Sequence, residues 1–201
     1  MQTSTKVSDR GMASHAESKR SGRNTVLKAV IINWITFVIS CYLTVNYQLI
    51  PTPKTPSLLN RIVFTTRMMV VTVLPLQFGV AVIMKTRADN YSTMGLSPAN
   101  AKGNYVLNMA NRYMQNTTEQ LIMFIVLQLT LSTLLSPEYL PLIPTSIFLF
   151  VVSRFIFFAG YIDAKRPINR AYGFAMTLVL NISATIMCFF LMVTKGPTFD
   201  L

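Results

Sequence analysis

Charged residues are scarce in this chain, and acidic ones are scarcer still. They make up 12% of 201 residues, with 7 Asp+Glu against 18 Lys+Arg, whereas soluble domains carry about 25%. Half of the usual charge is missing, which excludes a disordered chain and speaks against a soluble globular enzyme. The lone histidine, His15, lies in a polar stretch without partners, so a histidine metal site and a Ser–His pair are both out of reach. Cys41 and Cys188 fall inside apolar runs with no metal or redox spacing, and they read as small packed hydrophobes. No Gly-rich phosphate loop occurs either.

What fills the space is apolar. Hydrophobic residues account for 52% of the chain and the mean hydropathy is +0.45, the composition of a small polytopic membrane protein. The net charge of +11 does not point to nucleic acid. Its lysines and arginines border the apolar runs instead of forming one patch with interleaved aromatics. Five runs are long enough to span a bilayer, so the lipid bilayer is the first expected partner.

The first run, Ala29 to Ile50, carries no charge and reads as an uncleaved signal anchor. Before it, residues 1–25 form a Ser-rich basic tail that cannot bury a core and is expected to be disordered. Pro51, Pro53 and Pro56 end the first helix, taken as 26–50, and turn the chain. The second run, from about Leu59 to Met84, holds Arg67 and a kink expected at Pro75. The third starts near Tyr105 and stops before Pro137, the fourth covers Leu140 to Ile162, and the fifth Ala171 to Thr194. Residues 195–201 are a short tail.

Lysine and arginine placement sets the orientation. The N-terminal tail and the loops Lys85–Lys102 and Lys165–Arg170 carry about twelve basic residues, against Lys54, Arg61 and Lys195 on the other side. Five spans then put the N-terminus in the cytosol and the C-terminus in the lumen or outside the cell. The sequons at Asn90, Asn116 and Asn181 would lie in the cytosol or the membrane, out of reach of glycosylation.

Charge inside a span needs a partner or a task. Arg112, Asn116 and Glu119 are spaced four and seven apart, on one helical face near the cytosolic border. Arg154 and Tyr161 share a face of the fourth run, and Arg166 and Arg170 follow at helical spacing. Two readings stand. Glu119 and Asn116 bond across helices and hold the bundle together, or the group forms a pocket for a small, mostly anionic zwitterion. One glutamate cannot neutralise four arginines, which favours the pocket. A transporter or channel is the third class, but no inverted repeat or pair of broken helices speaks for it.

Arg112-x-x-x-Asn116-x-x-Glu119 resembles the second-helix signature of the membrane-associated eicosanoid and glutathione metabolism (MAPEG) superfamily. Arg154, Tyr161, Arg166 and Arg170 are similar in spacing to the third-helix end of its prostaglandin E synthase branch. The resemblance covers roughly Leu59 to Val193. It implies an all-α membrane fold with a four-helix transmembrane bundle over 59–194, preceded here by one extra transmembrane helix. It implies homotrimers with glutathione between subunits on the cytosolic side. Arg112, Asn116, Glu119, Tyr161, Arg166 and Arg170 would bind glutathione, Arg154 would be structural or accessory, and Arg170 would be the catalytic candidate.

Leu131–Glu138, Phe150–Arg154 and Tyr172-Gly173-Phe174, with the extra span, are similar to a branch linked to epithelial barriers and secretory vesicles. That implies an endomembrane location (endoplasmic reticulum, Golgi or lysosome-related vesicles) and a role in membrane trafficking. The alternative is a glutathione-dependent transferase, isomerase or peroxidase acting on lipophilic electrophiles. Phe157 stands where the prostaglandin synthase branch has histidine, and Ala171 and Phe174 where it has serine and tyrosine. These departures support binding of the tripeptide over its turnover.

Overall fold

The computed structural model describes residues 3–47, 57–91, 104–162 and 169–195, with side chains from residue 22 onward. It is all-helical among the described residues. The elements are α1 (Thr3–Tyr47), α2 (Leu58–Met69), a 3₁₀ turn (Val70–Val73) and α3 (Leu74–Asp89). Then come α4 (Tyr105–Leu134), a second 3₁₀ turn (Pro137–Tyr139), α5 (Leu142–Ile162) and α6 (Arg170–Lys195). Five stretches are long and apolar enough to cross a membrane: Gly22–Tyr47, Leu58–Asp89, Tyr105–Leu134, Pro137–Tyr161 and Arg170–Thr194. The protein is thus an integral membrane bundle of five spans. Pro51, Pro53 and Pro56, Arg166, and residues 196–201 lie outside the described residues.

Helix α1 runs without a break from Thr3 to Tyr47. No proline precedes Pro51 to interrupt it. The expected kink at Pro75 is displaced by one turn. The proline ring crowds the carbonyl four residues earlier, at Val71, and the backbone relaxes there into the 3₁₀ turn that separates α2 from α3. Thr72 Oγ1 donates to the Met69 carbonyl at 2.6 Å, and Tyr113 Oη donates to the Pro75 carbonyl at 3.1 Å. The break is satisfied from both sides.

Helix starts and ends carry local partners. Ser57 Oγ accepts from the Asn60 amide and caps α2, and Asn104 Oδ1 accepts from the Leu107 amide and caps α4. Arg61 Nη1 donates to the Leu135 carbonyl at 2.7 Å, placing a cation at the C-terminus of α4, where the helix dipole favours it.

Helix α6 is the hub, packing on α5 most extensively and then on α1 and α4, while α3 packs on α4. The main core lies between α4, α5 and α6, with Phe124 stacked on Phe150 at 4.5 Å among Ile143, Ile147, Leu180 and Ala184. A second cluster, Met109, Tyr113, Phe157 and Phe158, fills the end where α4 and α6 begin. Asn33 of α1 donates to the Tyr172 carbonyl of α6 at 2.8 Å, and Thr44 shares a hydrogen bond with Thr145 of α5. Polar groups at both depths therefore fasten α1 to the bundle.

Candidate functional site

Helices α4, α5 and α6 bring Asn116, Arg154 and Thr177 together, and Tyr161 and Arg170 meet beside them, on the side of the bundle where α4 and α6 start and α5 ends. Arg154 lies thirteen residues into α5 and is fully buried. Its Nη1 donates to Asn116 Oδ1 at 3.0 Å. Its Nη2 donates to the Gly173 carbonyl at 3.1 Å and to Thr177 Oγ1. The guanidinium also stacks over Phe157, with Cζ 4.8 Å from the ring centroid. One side chain thus joins α4, α5 and α6, and the ring beneath it is the Phe157 noted for replacing a histidine.

Glycine makes that network possible. A Cβ on Gly173 would meet the Phe157 backbone nitrogen at 2.4 Å and the Ser153 carbonyl oxygen at 2.5 Å, so α5 and α6 touch backbone to backbone. Gly160 plays the same part nearer the turn, where a Cβ would fall 2.4 Å from the Arg170 nitrogen.

The other residues are placed differently. Arg112 and Glu119 are exposed on α4, and Asn116 between them is half-buried. Glu119 accepts from Gln115 Nε2 at 3.2 Å. Arg170, at the start of α6, is exposed and lies over the Tyr161 ring with Cζ at 5.1 Å. Tyr161 packs edge-on against Phe157. Among the described residues Arg112, Arg154 and Arg170 make no ion pair, and no cluster of His, Cys, Asp and Glu could hold a metal.

The structure therefore separates two sets. Arg154 and the Oδ1 of Asn116 are committed to each other and to α6. Arg112, Glu119, Arg170 and the Tyr161 edge are presented outward, two cations and one anion with their charges uncommitted. Such a set can clamp carboxylates through guanidinium forks and hold an ammonium on the glutamate.

Thr177 and Gly173 were not foreseen as partners of Arg154. Thr177 follows Arg170 by seven residues and so shares its face, a signal that was readable. A second unforeseen bridge lies deeper, where Asn181 Nδ2 donates to Gln120 Oε1 at 2.9 Å between α6 and α4.

No curated protein sequence and no solved structure matches the chain. The profile of the MAPEG family does match, over residues 62–190. That interval begins within α2 and ends within α6, includes every residue of the polar end, and leaves α1 outside. A match across most of the chain, on a bundle of this architecture, decides the family: the chain belongs to the MAPEG family, with one transmembrane helix added before it.

Proposed function

We propose that the protein is a glutathione-binding MAPEG member similar to mattrin, acting in membrane trafficking or epithelial-barrier maintenance within the endomembrane system. The observation that carries this reading is the exposed, ion-pair-free set of Arg112, Glu119 and Arg170 beside a buried Arg154 whose two terminal nitrogens are bonded within the bundle. Glutathione has two carboxylates and one amine, and the donor set matches that pattern. Arg112 and Arg170 fit the carboxylates, Glu119 the amine, and Asn116 Nδ2, Tyr161 and Arg166 complete the contacts. Arg154 holds Asn116 in place from below.

The basic loops support a cytosolic position for this end, where a soluble tripeptide is accessible. A homotrimer is part of the proposal. Arg67 lies nine residues into the Leu58–Asp89 span, about 14 Å along it, and is exposed on the single chain. A lipid-facing arginine costs up to about 2.5–3.5 kcal/mol depending on its depth, and a neighbouring subunit against that face removes the cost.

A second reading, glutathione-dependent transfer or isomerisation of lipophilic electrophiles, is favoured by one feature. Arg170 remains exposed beside Tyr161. Bound glutathione would supply the thiol, and a cation at Arg170 would favour its ionised form. Against turnover stands Phe157, buried against Arg154 and Tyr113 with no titratable group to offer.

Glutathione titration of the detergent-purified full chain, read by thermal stability, tests the proposal. A tripeptide that binds the folded state raises stability by mass action. No stabilisation at millimolar glutathione, together with no calorimetric heat, overturns it. Light scattering corrected for detergent is expected to give about three protomers per particle, as the MAPEG resemblance implies. Tags on both ends, probed by protease in microsomes, are expected to be oppositely accessible, as five spans require.

A further inference from the structure

In the other half of the bundle, α1 does not close tightly against α4, α5 and α6. It leaves a cavity of about 420 Å³, lined by Trp34, Phe37 and Cys41 of α1, and by Gln128, Ser146 and Ser183 among mostly aliphatic neighbours. No charged residue lines it. Its volume falls in the range of pockets that hold small molecules, about 300–1,000 Å³. Gln128 is 9 residues beyond Glu119, or about 14 Å along α4, so this cavity is separate from the polar end.

Gln128 makes the cavity more than a packing gap. The residue is 1% exposed, and its Oε1 is buried with no hydrogen-bond partner. The hydroxyl protons of the two serines are spent on helix carbonyls, Ser146 on Leu142 at 2.8 Å and Ser183 on Val179 at 2.6 Å. Gln128 therefore brings to the lining a carboxamide whose oxygen no neighbour satisfies. These few polar atoms stand against an aliphatic and aromatic majority, so a largely apolar ligand suits the lining. What fits is a hydrocarbon body with one hydroxyl.

We propose that this cavity is a binding site for a neutral membrane lipid whose hydroxyl donates to Gln128 Oε1. The absence of lining charge excludes phosphate and other ionic headgroups. A sterol and a diacylglycerol share the required chemistry. Because α1 forms one wall and lies outside the family match, the site is a product of the added helix.

The test uses the full chain in phosphatidylcholine vesicles with two probes, a photoactivatable sterol and a photoactivatable diacylglycerol. Adducts are expected on the peptides holding Trp34–Cys41 and Ser183–Phe190. The unlabelled lipid is expected to compete about three- to ten-fold better than its deoxy analogue, the effect of one hydrogen bond. In Gln128→Leu, which folds because it removes an unpaired polar group, the labelling persists and that preference disappears. Ala184→Leu, which fills the cavity, is expected to cut labelling by either probe. Hydroxyl-dependent labelling by one probe alone identifies the lipid. Adducts spread over all lipid-facing helices, or equal competition by hydroxyl and deoxy forms in the wild type for both probes, overturn the proposal. So does labelling that Ala184→Leu leaves unchanged.

Discussion

Two buried polar side chains in the two halves of this bundle are served very unequally. At the polar end a guanidinium is enclosed completely, yet it has an amide, a carbonyl, a hydroxyl and an aromatic face around it, and only its Nε lacks a partner. In the other half a carboxamide oxygen is enclosed just as completely and has nothing. Arginine is the costlier group to place in a membrane, so satisfaction went to the group whose neglect would unfold the chain. A neutral amide can be left unpaired at about 1–3 kcal/mol. The contrast teaches which side chains are scaffold and which await something from outside.

The most forceful way to break the contrast is Arg154→Ala. It opens a cavity at the meeting point of three helices and strips Asn116 and Thr177 of their partner. A loss of about 3–5 kcal/mol in unfolding free energy is expected, measurable by denaturation in mixed micelles, with any glutathione response lost through unfolding. Arg112→Ala and Glu119→Gln sharpen the contrast from the other side. Both residues are exposed, so stability should move by less than about 0.5 kcal/mol. Glutathione affinity should fall about ten- to a hundred-fold for each, as expected when one charge-assisted contact is lost. Calorimetry on folded protein decides this. If stability collapses while wild type gives no glutathione heat, the exposed residues are helix glue and the assignment fails.

Gly173→Ala is next in size. The added Cβ would press on Phe157 and Ser153 backbone atoms at 2.4–2.6 Å, and overpacking of this kind costs about 1–3 kcal/mol. A lowered melting temperature is the readout. The smallest effect is a gain. In lipid-stripped detergent Gln128→Leu should stabilise the chain by about 1 kcal/mol, because it exchanges an unpaired acceptor for hydrocarbon.

Much of the fold was legible because a bilayer allows so few solutions. Apolar runs of spanning length had to be helices, and the third to fifth were bounded within a few residues by Asn104, Pro137 and Arg170. The Pro75 break was legible to within one turn, since its steric consequence falls on the preceding carbonyls. Spacing alone put Arg112, Asn116 and Glu119 on one face, since helical period needs no tertiary knowledge. It did not tell that Asn116 turns to Arg154 while its two neighbours stay exposed. That choice depends on how closely α5 approaches α6, and the deciding residue, Gly173, carries no side chain to announce it. The pairing of Asn181 with Gln120 was hidden for the same reason, as it joins helices through residues of no periodic signature.

The backbone contact at Gly160 and Gly173 has a mechanical corollary. Two helices meeting through side chains can slide by exchanging rotamers, but two meeting through main-chain atoms have no such slack. The α5–α6 hairpin is therefore a stiff post, with Arg154 riveted inside it and Arg170 set at its tip. Whatever adjustment admits a ligand at this end falls to the first half of α4, whose Arg112 and Glu119 stand on a helix that meets the post through longer side chains.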